Sequence, residues 1–292
     1  MYTIMRCQRR GLTRRFLAFG VLFLGAISIV NADAGQEALE QTLESFAARQ
    51  KMTTLLPQLN ASVAIEVQDL LLMNLAPDYG GVAGYLCELA ADGRTVVAPV
   101  LENMFTSSGA TLYGARGSEQ SVQLGWLLRL RGGVAGSVGA APSVHGYFSE
   151  LIPAVIVRDR LLREKQQNLW AALTVVNAGV RYLILGAPWS ISESDGGELL
   201  NGLMEAGLID RGGEILTKGL GLLGNREPLS AVAELQELLA ARGRTLRAGD
   251  LVSLGPVGPA VALGGIGRVT ARFSTILGGR RIVFAMRPPA SG

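Results

Sequence analysis

The sequence predicts an α+β fold built on a mixed or antiparallel sheet, and three observations predict it. Short apolar runs of strand length, separated by glycine-rich turns, outnumber the helical stretches. The helical periodicities cluster early and late in the chain, so the alternation that marks a βαβ series is missing. No Gly-x-Gly-x-x-Gly follows a strand in a nucleotide-binding context, and no internal repeat is present.

Taken in order, residues 36–50 place Leu39, Leu43 and Phe46 on one helical face with acids on the other, which predicts an N-terminal helix lying on the domain. A second helix, from about Ser62 to Asn74, carries Val63, Val67, Leu70 and Leu71 along one side and is expected to break at Pro77-Asp-Tyr-Gly-Gly81. From Val82 to Val97, short apolar runs interrupted by Ala91-Asp-Gly-Arg94 predict two strands and a turn. Val122 to Leu130 is a strand ended by Arg131-Gly-Gly133, and Val134 to Ala141, all small residues and valine, reads as loop. Ile152 to Val157 is a strand, Gln166 to Leu173 a short helix, and Val180 to Leu185 a strand. Ile266 to Leu277 and Arg281 to Met286 form a closing pair turned at Gly278-Gly279.

The densest stretch lies late. Leu229, Val232, Leu235, Leu238 and Leu239 recur at three- and four-residue steps, with Pro228 near the start of this helix and Gly243 just past its end. Arg242 and Arg244 suit the negative end of the helix dipole. Ala248-Gly-Asp250 is a tight turn feeding a strand from Leu251 to Leu254.

Residues 1–34 hold five arginines, an apolar run from Phe16 to Val30 broken only by Gly and Ser, and Ala32-Asp-Ala34. A basic start, a short apolar core and an A-x-A site describe a secretory signal peptide, followed by one domain over 35–292. The apolar run is shorter than the roughly twenty residues of a membrane anchor, so no stable anchor is expected. Thr13-Arg-Arg-Phe-Leu17 leaves a twin-arginine route open beside the Sec route, and the expected location is periplasmic or secreted. Removing five arginines and one aspartate takes the formal charge of the chain from +3 to −1, so nucleic acid is not an implied partner. Cys7 leaves with the segment and Cys87 stands alone, which excludes an internal disulfide.

The run LGNREPLSAVAELQELLAARGRTLRAGDLVSLG, ending at Gly255, resembles the C-terminal half of the fumarylacetoacetate hydrolase superfamily, above all its 2-keto-4-pentenoate hydratase branch. There a glycine-proline segment, a helix and a G-x-x-L-x-x-GD-x-(V/I)-x-x-G pattern occur in the same order. AIEVQDLL at 64–71, LIPAVIVRDR at 151–160, NAGVRYLILG at 177–186 and LLNGLMEAG at 199–207 extend the resemblance over residues 36–287. It implies a rolled sandwich of mixed β-sheet with peripheral helices, a small 2-oxo or enol organic acid as ligand, and a homo-oligomer. It also implies a Mg or Mn ion held by three carboxylates and a lysine that moves protons. Such an ion prefers oxygen ligands and stabilises an enolate as a Lewis acid.

This chain does not keep those groups. The two acids of the family's Glu-x-Glu fall at Ser121 and Gln123, the third acid at Ile156, and the lysine of its G-(Y/F)-K-x-G motif at Leu86. No family-type metal is therefore expected, nor hydration of 2-hydroxypenta-2,4-dienoate. Glu88, Glu119, Glu150 and Asp159 remain as neighbouring acids, read as solvated turn residues or caps, with Asp159 paired to Arg160. The candidate catalytic groups are Glu88, His145 (the only histidine, in the loop Ser143 to Tyr147 near the missing third acid in sequence) and Lys218, where the family runs a glycine-rich segment past its pocket. Ser137, Ser143 and Ser149 lack a G-x-S-x-G elbow. Trp126 and Trp170 are assigned to the core or a subunit contact. Two classes stay open: a lyase, hydratase or isomerase working without the metal, and a binding or structural protein that keeps the fold alone.

Overall fold

The computed structural model describes residues 29–114, 119–132, 144–192, 204–221, 228–263 and 267–287. Its elements in chain order are α1 (Ile29–Ala48), α2 (Ala61–Tyr79), β1 (Val82–Leu89), β2 (Thr95–Leu101), β3 (Phe105–Ser107), β4 (Thr111–Tyr113) and β5 (Gln120–Leu130). There follow α3 (Val144–Tyr147), β6 (Phe148–Asp159), α4 (Trp170–Val175), β7 (Val180–Leu185), β8 (Trp189–Ser190), β9 (Glu205–Ile209) and β10 (Ile215–Leu220). The chain closes with α5 (Pro228–Ala240), β11 (Leu251–Ala262), β12 (Arg268–Thr275) and β13 (Gly278–Arg287).

The strands form two mixed sheets. The 8-stranded sheet runs β2-β1-β11-β5-β6-β7-β3 with β8 added against β6, and the 5-stranded sheet runs β10-β9-β12-β13-β4. Alternation along β5 divides the interior: Val122, Leu124, Trp126, Leu128 and Leu130 point into the core that includes Phe273 and Phe284 of the smaller sheet, and Leu127 points the other way. Trp126 and Phe273 meet edge to face at 4.9 Å, so Trp126 is core, not contact surface. α5 buries Val232, Leu235 and Leu239 in the same cluster. The opposite face of the large sheet is covered by α1, α2 and α4, through Phe46, Val67, Leu71, Trp170 and Val175.

β2 is an edge strand with an unusual cover. Its carbonyls at Thr95, Val97 and Pro99 accept hydrogen bonds from Trp170 Nε1 (2.9 Å), Gln68 Nε2 (2.9 Å) and Asn177 Nδ2 (2.9 Å). An edge that would otherwise offer a row of free acceptors is thereby closed by side chains from the helical layer.

Several expectations need correction. α2 runs through Pro77 to Tyr79, because a proline in the last turn forfeits one bond there, and the helix stops at Gly80, whose φ of 79° lets its N–H close on the Ala76 carbonyl at 2.9 Å. The expected short helix splits into a 3-10 turn at Glu164–Gln166 and α4. β11 continues through Pro256 and Pro259 because register shifts flank both, sparing the ladder a donor that proline lacks. Arg242 and Arg244 cross to α2, donating to Gln68 Oε1 (2.9 Å) and Asp69 Oδ1 (2.8 Å), instead of serving their own helix end. β3, β4, β8, β9 and β10, none of them anticipated, are short strands that only the sheets define. The loop expected at Val134 to Ala141 and most of the signal segment lie outside the described residues.

Candidate functional site

The antiparallel pair β5 and β6 sets Gln123 opposite Ile156 and Ser121 opposite Arg158, on the face that looks toward the helices. Ile156, 1% exposed, lies over Gly125, where an added Cβ would meet its Cδ1 at 3.0 Å. Leu86 of β1, 2% exposed, joins the same apolar cluster. The positions where the resemblance implies an acid and a lysine are therefore filled by packed hydrocarbon.

Two residues further along each strand the chemistry changes. Arg158 Nη1 pairs with Glu88 Oε2 at 2.7 Å and donates to the Ala178 carbonyl at 3.0 Å, with both charged side chains largely buried. The Ala178 carbonyl is brought there by a left-handed turn: Asn177, Ala178 and Gly179 have φ of 51°, 51° and 67°. Only glycine fits the third position, since a Cβ there would meet the Asp159 carbonyl oxygen at 2.4 Å. Glu88, Ser121 and Arg158 line one side of a cavity of about 220 Å³ that opens to solvent. Leu161, Leu162, Leu173 and Val176 supply apolar lining. Arg158 Nε is buried and has no hydrogen-bond partner among the described residues. A buried donor without an acceptor costs about 1–3 kcal/mol, so it calls for an explanation.

Asp159 faces a different set of partners. Only 2% exposed, it accepts from Gln120 Nε2 (2.8 Å) and from Arg49 Nε (3.2 Å) and Nη2 (3.3 Å), and it lies 3.5 Å from Arg181 Nε. Arg181 in turn stacks on Phe46 at 4.3 Å, so α1 is clamped to the end of the sheet by charge and by ring. The expected pairing of Asp159 with Arg160 is thus replaced by Arg49 and Arg181, which a sequence cannot bring beside it. Glu88 is likewise not a solvated turn residue but half of a buried pair. Glu119 does meet solvent and pairs with Lys51 at 2.9 Å, and Glu150 pairs with Arg129 at 2.7 Å.

Of the other candidates, Lys218 is exposed on β10 in the smaller sheet and does not line the cavity. His145 belongs to the single-turn helix α3, not to a loop. α3 precedes the first residue of β6, and Arg158 lies ten residues along that strand, about 33 Å at 3.3 Å per residue. The structure therefore brings together Glu88 and Ser121, with Leu86, Gln123 and Ile156 nearby, and leaves His145 and Lys218 apart. Arg158 was missed. The available signal was a charge inside the apolar run Val155-Ile-Val-Arg158, which has no reason to sit in a buried strand unless it is paired.

The donor set does not suit a divalent cation. Ile156 has no donor atom, Ser121 and Gln123 offer only neutral oxygens, and Arg158 puts a full positive charge opposite Ser121. Among the described residues no three His, Cys, Asp or Glu side chains gather closely enough to hold an ion.

The two sheets, the helical layer and the order of elements define a fumarylacetoacetate hydrolase-like fold. In particular, 4-oxalocrotonate decarboxylase from Pseudomonas putida G7, solved with magnesium and adipate, superimposes at a TM-score of 0.69 with 16% identity, over 89% of this chain and 99% of that one. Its complex with calcium and acetate gives 0.70 and 17% over the same shares. Fumarylpyruvate hydrolase from Pseudomonas aeruginosa, with Mn2+ and pyruvate, gives 0.51 and 13% over 70% of this chain and 88% of that one. No protein-family profile and no curated protein sequence matches the chain.

Proposed function

We propose that the protein is an exported, hydratase-like protein that takes a small 2-oxo or enol organic acid in the cavity between β1, β5 and β6, and acts on it as a lyase, hydratase or isomerase without a divalent metal. The observation that carries this is the buried Glu88–Arg158 pair, beside positions where the resemblance implies metal-binding acids. Structural relatives, enzymes solved with small carboxylates, support the ligand class. Arg158 would hold the carboxylate and the adjacent oxygen. Glu88 would take a proton from C3 as the electron pair moves to form the C2–C3 double bond of an enolate, whose negative oxygen the guanidinium stabilises. Return of the proton at a different carbon completes an isomerisation, and addition of water to the conjugated acid completes a hydration.

Deuterium exchange at C3 of 2-oxopentanoate, followed by NMR in D2O with EDTA present, tests this reading. Exchange is expected at a rate indifferent to Mg2+, and Glu88→Gln is expected to lower it by about a hundredfold or more. Exchange that needs Mg2+ would sink the metal-free reading. Saturable binding without exchange would favour the second reading, a non-catalytic binding protein. Export is tested separately: N-terminal sequencing of material from outside the cytoplasm should begin at or near Gly35, and an intact Met1 in a membrane fraction would show an anchor instead.

A further inference from the structure

The cavity is chemically two-sided, and the two sides together specify more than an organic acid. Its polar lining includes Glu88, Arg158, Asp159, Arg160, Gln167 and Asn168; Asp159 is already held by Arg49 and Arg181 from outside the cavity and Arg160 by Glu119 and Gln167, so the donor left over is on Arg158. Leu89, Leu161, Leu162, Leu173 and Val176 form the apolar side and offer nothing to a second charge. Arg158 spends Nη1 on Glu88 and on the Ala178 carbonyl, and its Nε has no acceptor. That leaves the side-on edge of the guanidinium, the edge that grips a carboxylate through two parallel N–H bonds, with an unmet donor.

We infer that the cavity takes a monocarboxylate with an apolar tail, and that a 2-oxo group is not needed for binding. This rests on the metal-free reading above. A chelating ion grips a 2-oxo acid through the carboxylate and the neighbouring oxygen together, so it discriminates against acids lacking that oxygen. A guanidinium draws its hold from the charged carboxylate, and its contact with a neutral 2-oxo oxygen only replaces a hydrogen bond to water, so it discriminates little. Since a cavity of about 150 Å³ accommodates benzene, one of about 220 Å³ suits an acid of about five to eight carbons.

The test is titration calorimetry of the purified protein with hexanoate, 2-oxohexanoate and adipate, each with EDTA and again with Mg2+. Hexanoate and 2-oxohexanoate should bind within about threefold of one another, Mg2+ should change neither, and adipate should be at least about tenfold weaker. Arg158→Lys, which keeps the charge and loses the fork, should weaken hexanoate by about tenfold. Leu89→Lys, at a position 53% exposed and so tolerant of change, should improve adipate relative to hexanoate. Binding of 2-oxohexanoate in EDTA without binding of hexanoate would overturn this inference and leave the metal-free site standing. Adipate binding most tightly would overturn it likewise. Binding of any acid only in Mg2+, or of none, would overturn both.

Discussion

Asn177 and Ala178 are neighbours in one left-handed turn, yet they serve two regions of opposite character. On the Asn177 side, Gln68 is fully buried and fully engaged: Nε2 donates to Val97 O and to Asn177 Oδ1 (3.1 Å), and Oε1 accepts from Arg242. Asn177 Nδ2 completes the cover of the β2 edge at Pro99 O. On the Ala178 side, the carbonyl meets Arg158, a buried guanidinium with a donor left over and a cavity beside it. A satisfied buried network rigidifies and specifies the fold; an incompletely satisfied one marks a place where a ligand can contribute. The same strained turn is explained by both.

The sharpest way to break the comparison is at Gln68. Gln68→Leu removes the acceptor for Arg242 and the donor for Val97 O and Asn177, and should cost about 3 kcal/mol in urea denaturation without moving the slope. A cost under about 1 kcal/mol would show that the edge network is not structural.

The cavity pair should behave in the opposite sense. Replacing both charges together, as Glu88→Gln with Arg158→Met, should leave the protein as stable or up to about 1 kcal/mol more stable, since a buried ion pair seldom outweighs its own desolvation. The same variant should lose carboxylate binding. A loss of stability comparable to that at Gln68 would mean that the pair is there to hold the fold.

The smallest effect is expected at Asp250, which belongs to neither hydrogen-bond network. Its Oδ2 accepts from Arg247 N at 2.8 Å in the turn before β11, and burial pushes its carboxyl above the ordinary aspartate value, against that hydrogen bond. A raised folded value means that the stabilisation is present below the unfolded value and fades as pH rises through the folded one. Asp250→Asn, which mimics the protonated acid, should therefore stabilise at pH 7 by less than about 1 kcal/mol and make no difference below about pH 4. Thermal melts across pH would show the reverse trend if the hydrogen bond outweighed burial.

Much of the local structure was legible in advance. β7 occupies the span expected from its apolar run, β1 and β2 turn where Asp92 and Gly93 predict, and α5 starts at Pro228 and is closed at Gly243, whose φ is 66°. The candidate site was legible in part, because Leu86, Ser121, Gln123 and Ile156 could be read against a motif. The Glu88–Arg158 pair was not. Glu88 and Arg158 belong to different strands with β11 and β5 between them, and neither residue's neighbours identify its partner.

What the sequence by itself determined is whatever short-range periodicity and turn chemistry decide: which segments are helical or extended, and where glycine and proline end them. The tertiary structure alone decided that α2 would tolerate Pro77, that β11 would pass through two prolines at bulges, and that Asn177 would be held left-handed to reach Pro99. It also decided that Arg49 would close on Asp159, 110 residues away. Each of these depends on partners far along the chain, whose contacts offset a local cost of strain, a lost hydrogen bond or a buried charge. Local propensity records only that cost, so it points to a different answer until the sheets have formed.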